Sequence, residues 1–526
     1  MALVLPVPAE RTAPPKDLEI RPKQVKAWLD SLPLAQAQDA GRKVWAHLAA
    51  LNRSKIDTDD RLSILETYRP ITGTLLEEME AIYGKATLPL APRPREALEM
   101  ARSLAGEMGT GYKIVLAEKS GKLIAFGAKK LVTFLLLRIM QCQCARLNAG
   151  YKSYTAAPPG TWAEIHQVFL QAERDGIVGE PADPETRGSI AELYCEALLL
   201  SLTDPSRLSP GEADKVIAQV RASRAGVTLS QVRPQTRPGG HFLVPCDTDK
   251  PPKPALSAND ETGGPNWRLF DANPIVEKLR ARKNALQSGN VSATTSRSMG
   301  PDGVNLLGKL ITLWGDPPKR SSRREPMDTT VAICVGIKAV HHFLSLEPHT
   351  RPGEGEAIRE GITMPLLAIP DDEVSRSMHV LEWDVVNQSE GGVKVRRTGA
   401  TDQLLSVGEV LGLRFVGRIH WAVGVVRWLT ALEDGGLEFG VQFLASEARN
   451  IELAPSIGAG LPQAKPALLL LDDHDPGAEH MVLAANNTFS ELREFHVEDQ
   501  DQVSLVRARG LIEKTPRFDL FHVSAS

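Results

Sequence analysis

The feature that most constrains this chain is a change of hydrophobic period near Pro317. Before it, apolar residues recur at helical spacing. Val25, Trp28, Leu29 and Leu32 fall at i, i+3, i+4 and i+7, and Val44, Leu48 and Leu51 keep the same period. Such a stripe buries one face of an α-helix. Leu131–Leu147, Ile165–Ala172 and Ile190–Leu202 extend the series, and strand-like alternation is nearly absent. Beyond Pro317, Val331, Ile333, Val335 and Ile337 alternate strictly, which predicts a half-buried strand. Runs at 383–386, 393–395, 410–415, 423–429 and 437–443 follow at short intervals, with Gly, Asp and Asn between them. Glu433-Asp434-Gly435-Gly436 is a hairpin signal. Several short strands so spaced predict a small barrel.

The expected fold class is therefore α+β multidomain. Residues 1–20 are expected to be a disordered leader and 21–202 an all-helical domain. The stretch 203–318 reads as a connector of short helices and loops. A small antiparallel β-barrel is expected over 319–458, with an inserted excursion near 345–378 rich in Pro, Gly and Glu. Residues 459–526 are expected to form a short β-rich extension. No internal repeat of fixed period is visible.

Composition narrows the function classes. A net charge of −4 provides no general basic field of the kind that coats nucleic acid. The five cysteines (Cys142, Cys144, Cys195, Cys246 and Cys334) have neither disulfide nor zinc spacing, so a reducing cytoplasm is the natural location. The most apolar run, Leu131–Met140, is far short of the roughly 20 residues that span a bilayer. The start of the chain lacks signal-peptide character. Walker, Gly-x-Ser-x-Gly and His-Glu-x-x-His motifs are all missing from the sequence, which favours a binding protein over an enzyme.

Two short constellations carry chemistry. Lys319-Arg320-Ser321-Ser322-Arg323-Arg324 precedes the first barrel strand, with Arg320 and Arg324 in an Arg-x-x-x-Arg arrangement. Asn387-Gln388-Ser389-Glu390-Gly391-Gly392 closes a later strand and reads Asn-x-Ser-x-x-Gly. Taken alone, a basic cluster is a solvated linker or a nucleic-acid patch, and the second motif is a common turn. Together, in this order and flanked by strands, they resemble the PilZ family of cyclic di-GMP receptors. Gly408-Glu409-Val410, Val423-Gly424-Val425-Val426-Arg427-Trp428 and Phe439-Gly440-Val441-Gln442-Phe443 resemble that family's later strands. The resemblance covers about a quarter of the chain and departs from the pattern at Asn387, where Asp is commoner, and in the long separation of the motifs.

The resemblance implies a PilZ-like barrel that binds cyclic di-GMP through Arg320, Arg323, Arg324, Asn387, Ser389 and Gly392. It implies no other cofactor, no metal and no catalysis. Guanidinium forks match guanine edges and phosphates, and short polar side chains in a turn suit a guanine edge. The helical domain would then relay the signal to a protein partner, in motility, pilus or biofilm machinery by family analogy. Two rival readings stand beside it: a PilZ scaffold active only in protein interaction, and a nucleic-acid-binding protein using residues 319–324.

The remaining candidates are weaker. Arg396, Arg397, Arg414, Arg418 and Arg427 either add positive potential beside the barrel or form an exposed strand face. Asp472, Asp473, His474, Asp475, Glu479 and His480 form an acidic/His cluster that reads as a solvated turn rather than a metal site. His341 and His342, read as continuing the first strand, would point to opposite faces and could not share a metal.

Overall fold

The computed structural model describes residues 5–8, 12–120, 128–182, 188–223, 228–231, 239–255, 264–288, 293–315, 323–347, 378–456, 464–471, 480–499 and 502–525. It divides into two compact units. The first comprises Met1–Ala86 and Leu90–Lys319, the second Thr87–Pro89 and Arg320–Ser526.

The first unit opens with α1 (Pro22–Asp30), α2 (Ala37–Asn52), α3 (Thr58–Tyr83), α4 (Pro92–Ser120) and α5 (Ala128–Lys152). There follow α6 (Thr161–Arg174), α7 (Ile190–Ser201) and α8 (Glu212–Ser223). Their apolar stripes converge: Val25, Val44, Leu48, Ile64, Leu75 and Leu104 are fully buried. Local signals set the ends. Asp57 caps α3 by accepting from the Asp59 and Asp60 amides, and Ser189 with Glu192 forms a capping box on α7. Charge is buried at the heart of the bundle. Lys113 of α4 meets Glu164 of α6 at 3.1 Å, and Gln143 of α5 donates to the same carboxylate at 2.5 Å. A four-stranded sheet follows: β1 (Thr228–Gln231), β2 (His241–Pro245), β3 (Lys253–Pro254) and β4 (Trp267–Asp271), in the order β1-β4-β2-β3. Helices α9 (Asn273–Gln287) and α10 (Ala293–Gly315) complete the unit.

The second unit holds two closed barrels. The first is built from β5 (Glu325–Val335), β6 (Leu381–Ser389), β7 (Gly392–Arg397), β8 (Val410–Phe415), β9 (Ala422–Ala431) and β10 (Leu437–Ala445), with α11 (Ile337–Ser345) between β5 and β6. The strand expectation for this region overran at one place. Alternation through Ile337 predicted a longer strand, but Gly336, at φ +93°, ends β5, and α11 begins at the next residue. His341 and His342 are therefore helical neighbours. Their placement on a strand was wrong, and His341 Nε2 lies 3.6 Å from Glu452. Gln403 stitches the barrel interior. It accepts from Trp383 Nε1 at 2.9 Å and donates to the carbonyls of Ile333 at 3.0 Å and His379 at 2.9 Å.

The C-terminal strands close on themselves. They are β11 (Glu447–Pro455), β12 (Lys465–Leu471), β13 (His480–Ala485), β14 (Glu494–Asp499), β15 (Gln502–Lys514) and β16 (Phe518–Ala525). Glu447–Pro455 pairs only with strands of this second barrel among the described ladders. Counted one to six along the chain, the strands of both barrels run in the same cyclic order, 1-2-3-6-5-4, with every neighbour antiparallel. The second barrel is a topological repeat of the first. A hydrophobic cluster including Val340, Phe343, Trp421, Leu468, Leu470 and Phe518 joins them, and a separate cluster around Phe495, Phe521 and Val482 fills the second barrel. No helix of the described residues is long and apolar enough to cross a membrane.

Candidate functional site

The register of β5, β6 and β7 decides which motif residues meet. Glu325 faces Gln388 and Pro326 faces Asn387. Arg324 is one residue before Glu325, and in an antiparallel ladder the position opposite it is Ser389. The arginine arm thus enters the barrel beside the polar turn that ends β6. Arg323 and Arg324 are exposed. Arg320 lies outside the described residues.

The turn itself is tightly built. Ser389 faces Gly392, and its Oγ donates to the Gly392 carbonyl at 3.3 Å. Gly392 in turn faces Gln442 of β10. A Cβ on Gly392 would sit 2.3 Å from the Val441 carbonyl oxygen, so the close approach of β10 already demands glycine there. Asn387 faces Lys394 next to a bulge at Val386, and its Oδ1 is buried without a hydrogen-bond partner. Buried polar atoms are ordinarily paired, so this oxygen is open to a donor that the protein itself does not supply.

Side chains alternate across a strand, so this register defines one outer face. Val385, Val393, Val395, Phe439 and Val441 point into the barrel and are buried. Asn387, Ser389, Gly392, Lys394, Gly440, Gln442 and Trp428 share the other side by their pairings. The Trp428 indole lies over Gly440, where an added Cβ would fall 1.9 Å from its Nε1. Lys394 Nζ stands 5.7 Å from the Trp428 ring centroid. Glu438 takes Lys394 at 2.8 Å and Arg396 Nε at 2.8 Å. Burial works against the charge of Glu438, but the hydrogen bonds from Lys394 and Arg396 outweigh it and hold its carboxyl below the usual range.

The arginines singled out as a group do not form one patch. Arg396 is committed to Glu438. Arg397 Nη1 donates to the Glu382 carbonyl at 2.6 Å. Arg414 stacks 4.9 Å from the Trp421 centroid, and burial holds its pKa below the ordinary value. Arg418 is exposed. Arg427 reaches the motif face from β9, donating from Nε to Gln442 at 2.8 Å. Motif reading missed Lys394, Trp428 and Gln442 as members of the site. Nothing in their spacing marks them, since only strand pairing brings them beside Asn387 and Gly392. The acidic/His cluster lies outside the described residues except for His480, and no metal-holding group of His, Cys, Asp or Glu occurs among the described residues.

Comparison with known proteins identifies the domains. Residues 23–235 match a family described as the cyclic-di-GMP receptor FimW, N-terminal domain. Residues 241–350 and 368–450 match the same receptor's middle PilZ domain. Across 501 residues the chain is 23% identical to the cyclic-di-GMP receptor FimW of Pseudomonas aeruginosa, covering 85% of this chain and 81% of that protein. No solved structure matches. The chain belongs to the PilZ-domain family of cyclic di-GMP receptors.

Proposed function

We propose that this protein binds cyclic di-GMP on the outer face of its first barrel and acts by binding rather than catalysis. The observation that carries the reading is the β5–β6 register, which aims the position of Arg324 at Ser389, two residues from the unpartnered Oδ1 of Asn387. Arg320 and Arg324 supply guanidinium forks to phosphate and guanine, with Arg323 in reserve beside them. Asn387 and Ser389 take a guanine edge and phosphate oxygens, and Gly392 keeps the turn low enough for the ligand to lie on it. Binding draws the arginine arm onto the barrel, a switch that needs only higher ligand affinity for the closed state. The helical domain passes that change to a protein partner in the cytoplasm, within motility, pilus or biofilm machinery. The family relationship supports this reading, as does the likeness to a protein described as a cyclic-di-GMP receptor.

The test is calorimetric titration of the full chain with cyclic di-GMP. Micromolar or tighter binding is expected, lost in R320A/R324A. Absence of heat with the wild-type protein would leave the scaffold reading. Salt-sensitive binding to arbitrary DNA or RNA would favour the nucleic-acid reading.

A further inference from the structure

The second barrel reaches toward the candidate face at one side chain. Gly440 faces Trp428 and Val441 faces Val426, so Arg427 is the extra residue of a β-bulge in β9. The bulge turns Arg427 out of the ladder. Its Nε donates to Gln442 at 2.8 Å, and Gln442 is the residue facing Gly392 of the motif turn. Strand β9 lies two strand spacings from β7, about 10 Å, within the span of an extended arginine and a dinucleotide. The far end of the same guanidinium is held by Glu513 of β15, Nη1 to Oε1 at 2.6 Å and Nη2 to Oε2 at 2.7 Å.

We propose that Arg427 is a third anion-binding arginine of this face, and that Glu513 holds the place a ligand phosphate takes. The inference rests on the receptor reading above. Carboxylate and phosphate both accept two parallel N–H bonds from a guanidinium fork, so the two compete for the same Nη pair. Both side chains are 28% exposed. A pair so accessible to water contributes little net stability, which makes it exchangeable. The Nε bond to Gln442 does not use the Nη edge, so Gln442 steers Arg427 while its partner changes. Ligand entry therefore releases one link between the barrels. Their shared apolar cluster and the contacts of Arg517 with Ser406 (3.1 Å) and Glu409 (3.5 Å) hold the barrels together throughout.

The experiment titrates cyclic di-GMP into the full chain and three variants, with thermal melts as a folding control. Glu513→Gln keeps the side-chain shape and removes the competing charge, and is expected to bind about threefold to tenfold tighter. Arg427→Gln is expected to bind about tenfold weaker, the loss of one charge-assisted contact. The exchange R427E/E513R keeps an ion pair between the barrels but places a carboxylate at the ligand face, and is expected to lose most binding while melting like the wild type. Wild-type binding with Glu513→Gln and Arg427→Gln unchanged would overturn this inference and leave the receptor reading standing. Failure of the wild-type protein to bind would overturn both.

Discussion

Asn387 and Gly392 belong to the same motif yet answer to different constraints. The glycine is held by the fold: β10 passes so close that a Cβ would meet the Val441 carbonyl at 2.3 Å. Gly392→Ala is expected to destabilise the protein by about 1–3 kcal/mol, the usual cost of overpacking, seen as a lower melting temperature without ligand. The asparagine is not held by the fold in this way, because its Oδ1 is a buried acceptor with no partner. Asn387→Ala is expected to leave the melting temperature unchanged or slightly raised, while weakening cyclic di-GMP about tenfold. A thermal melt and a titration on each variant separate the structural member of the motif from the binding one. Sequence reading gave both residues to the ligand; the fold's own demand on Gly392 was not legible there, since a motif carries no information about which neighbour crowds a backbone.

Among the elements, the helices of the first unit are tied by polar groups as well as by apolar stripes. His166 of α6 sits in such a junction. It must donate from Nε2 to the Lys250 carbonyl at 2.9 Å, so its Nδ1 accepts from the Tyr194 hydroxyl of α7 at 2.7 Å. Burial lowers its pKa to about 4, against a smaller opposing effect of the Lys250 carbonyl. Above the ordinary value near 6.5 the ring is neutral folded or unfolded, and its contribution is fully present. As pH falls from there toward 4, the unfolded chain takes up a proton that the folded one refuses. Stability is then lost at about 1.4 kcal/mol per pH unit, reaching about 3 kcal/mol near pH 4. Denaturant melts at pH 7, 6, 5 and 4 should show this slope, and His166→Gln should flatten it by a similar amount.

At the scale of the whole molecule, the two barrels of the second unit are interdependent. Helix α11 packs between β5, β8, β11 and β12, and the apolar cluster around it draws residues from both barrels. A chain ending at residue 446 would uncover Val340, Phe343 and Val425, all buried when both barrels are present. Such exposure of contiguous apolar surface drives aggregation. The truncated protein is expected to be insoluble or to melt well below the full chain, measured by size-exclusion chromatography and calorimetry. A truncated chain that is monomeric with an unchanged melting temperature would show that the first barrel folds alone. The repeat itself was invisible to a search for fixed periods. Strand order is conserved between the barrels, but loop lengths and residues are not.

The hydrophobic period determined the N-terminal helices and most strands beyond Pro317, because burial of one face imposes 3.6 or 2 directly on the chain, but it showed neither the sheet β1–β4 nor helix α11. The two motifs likewise pointed to the ligand class through their resemblance to the PilZ family, because such motifs are short and local to the chain. Tertiary structure decided the rest. Ring closure of the last six strands, the turn to helix after Gly336 and the meeting of Arg427 with Gln442 and Glu513 all depend on pairings between distant segments. Cross-strand register is a property of two segments at once, and neither one contains it.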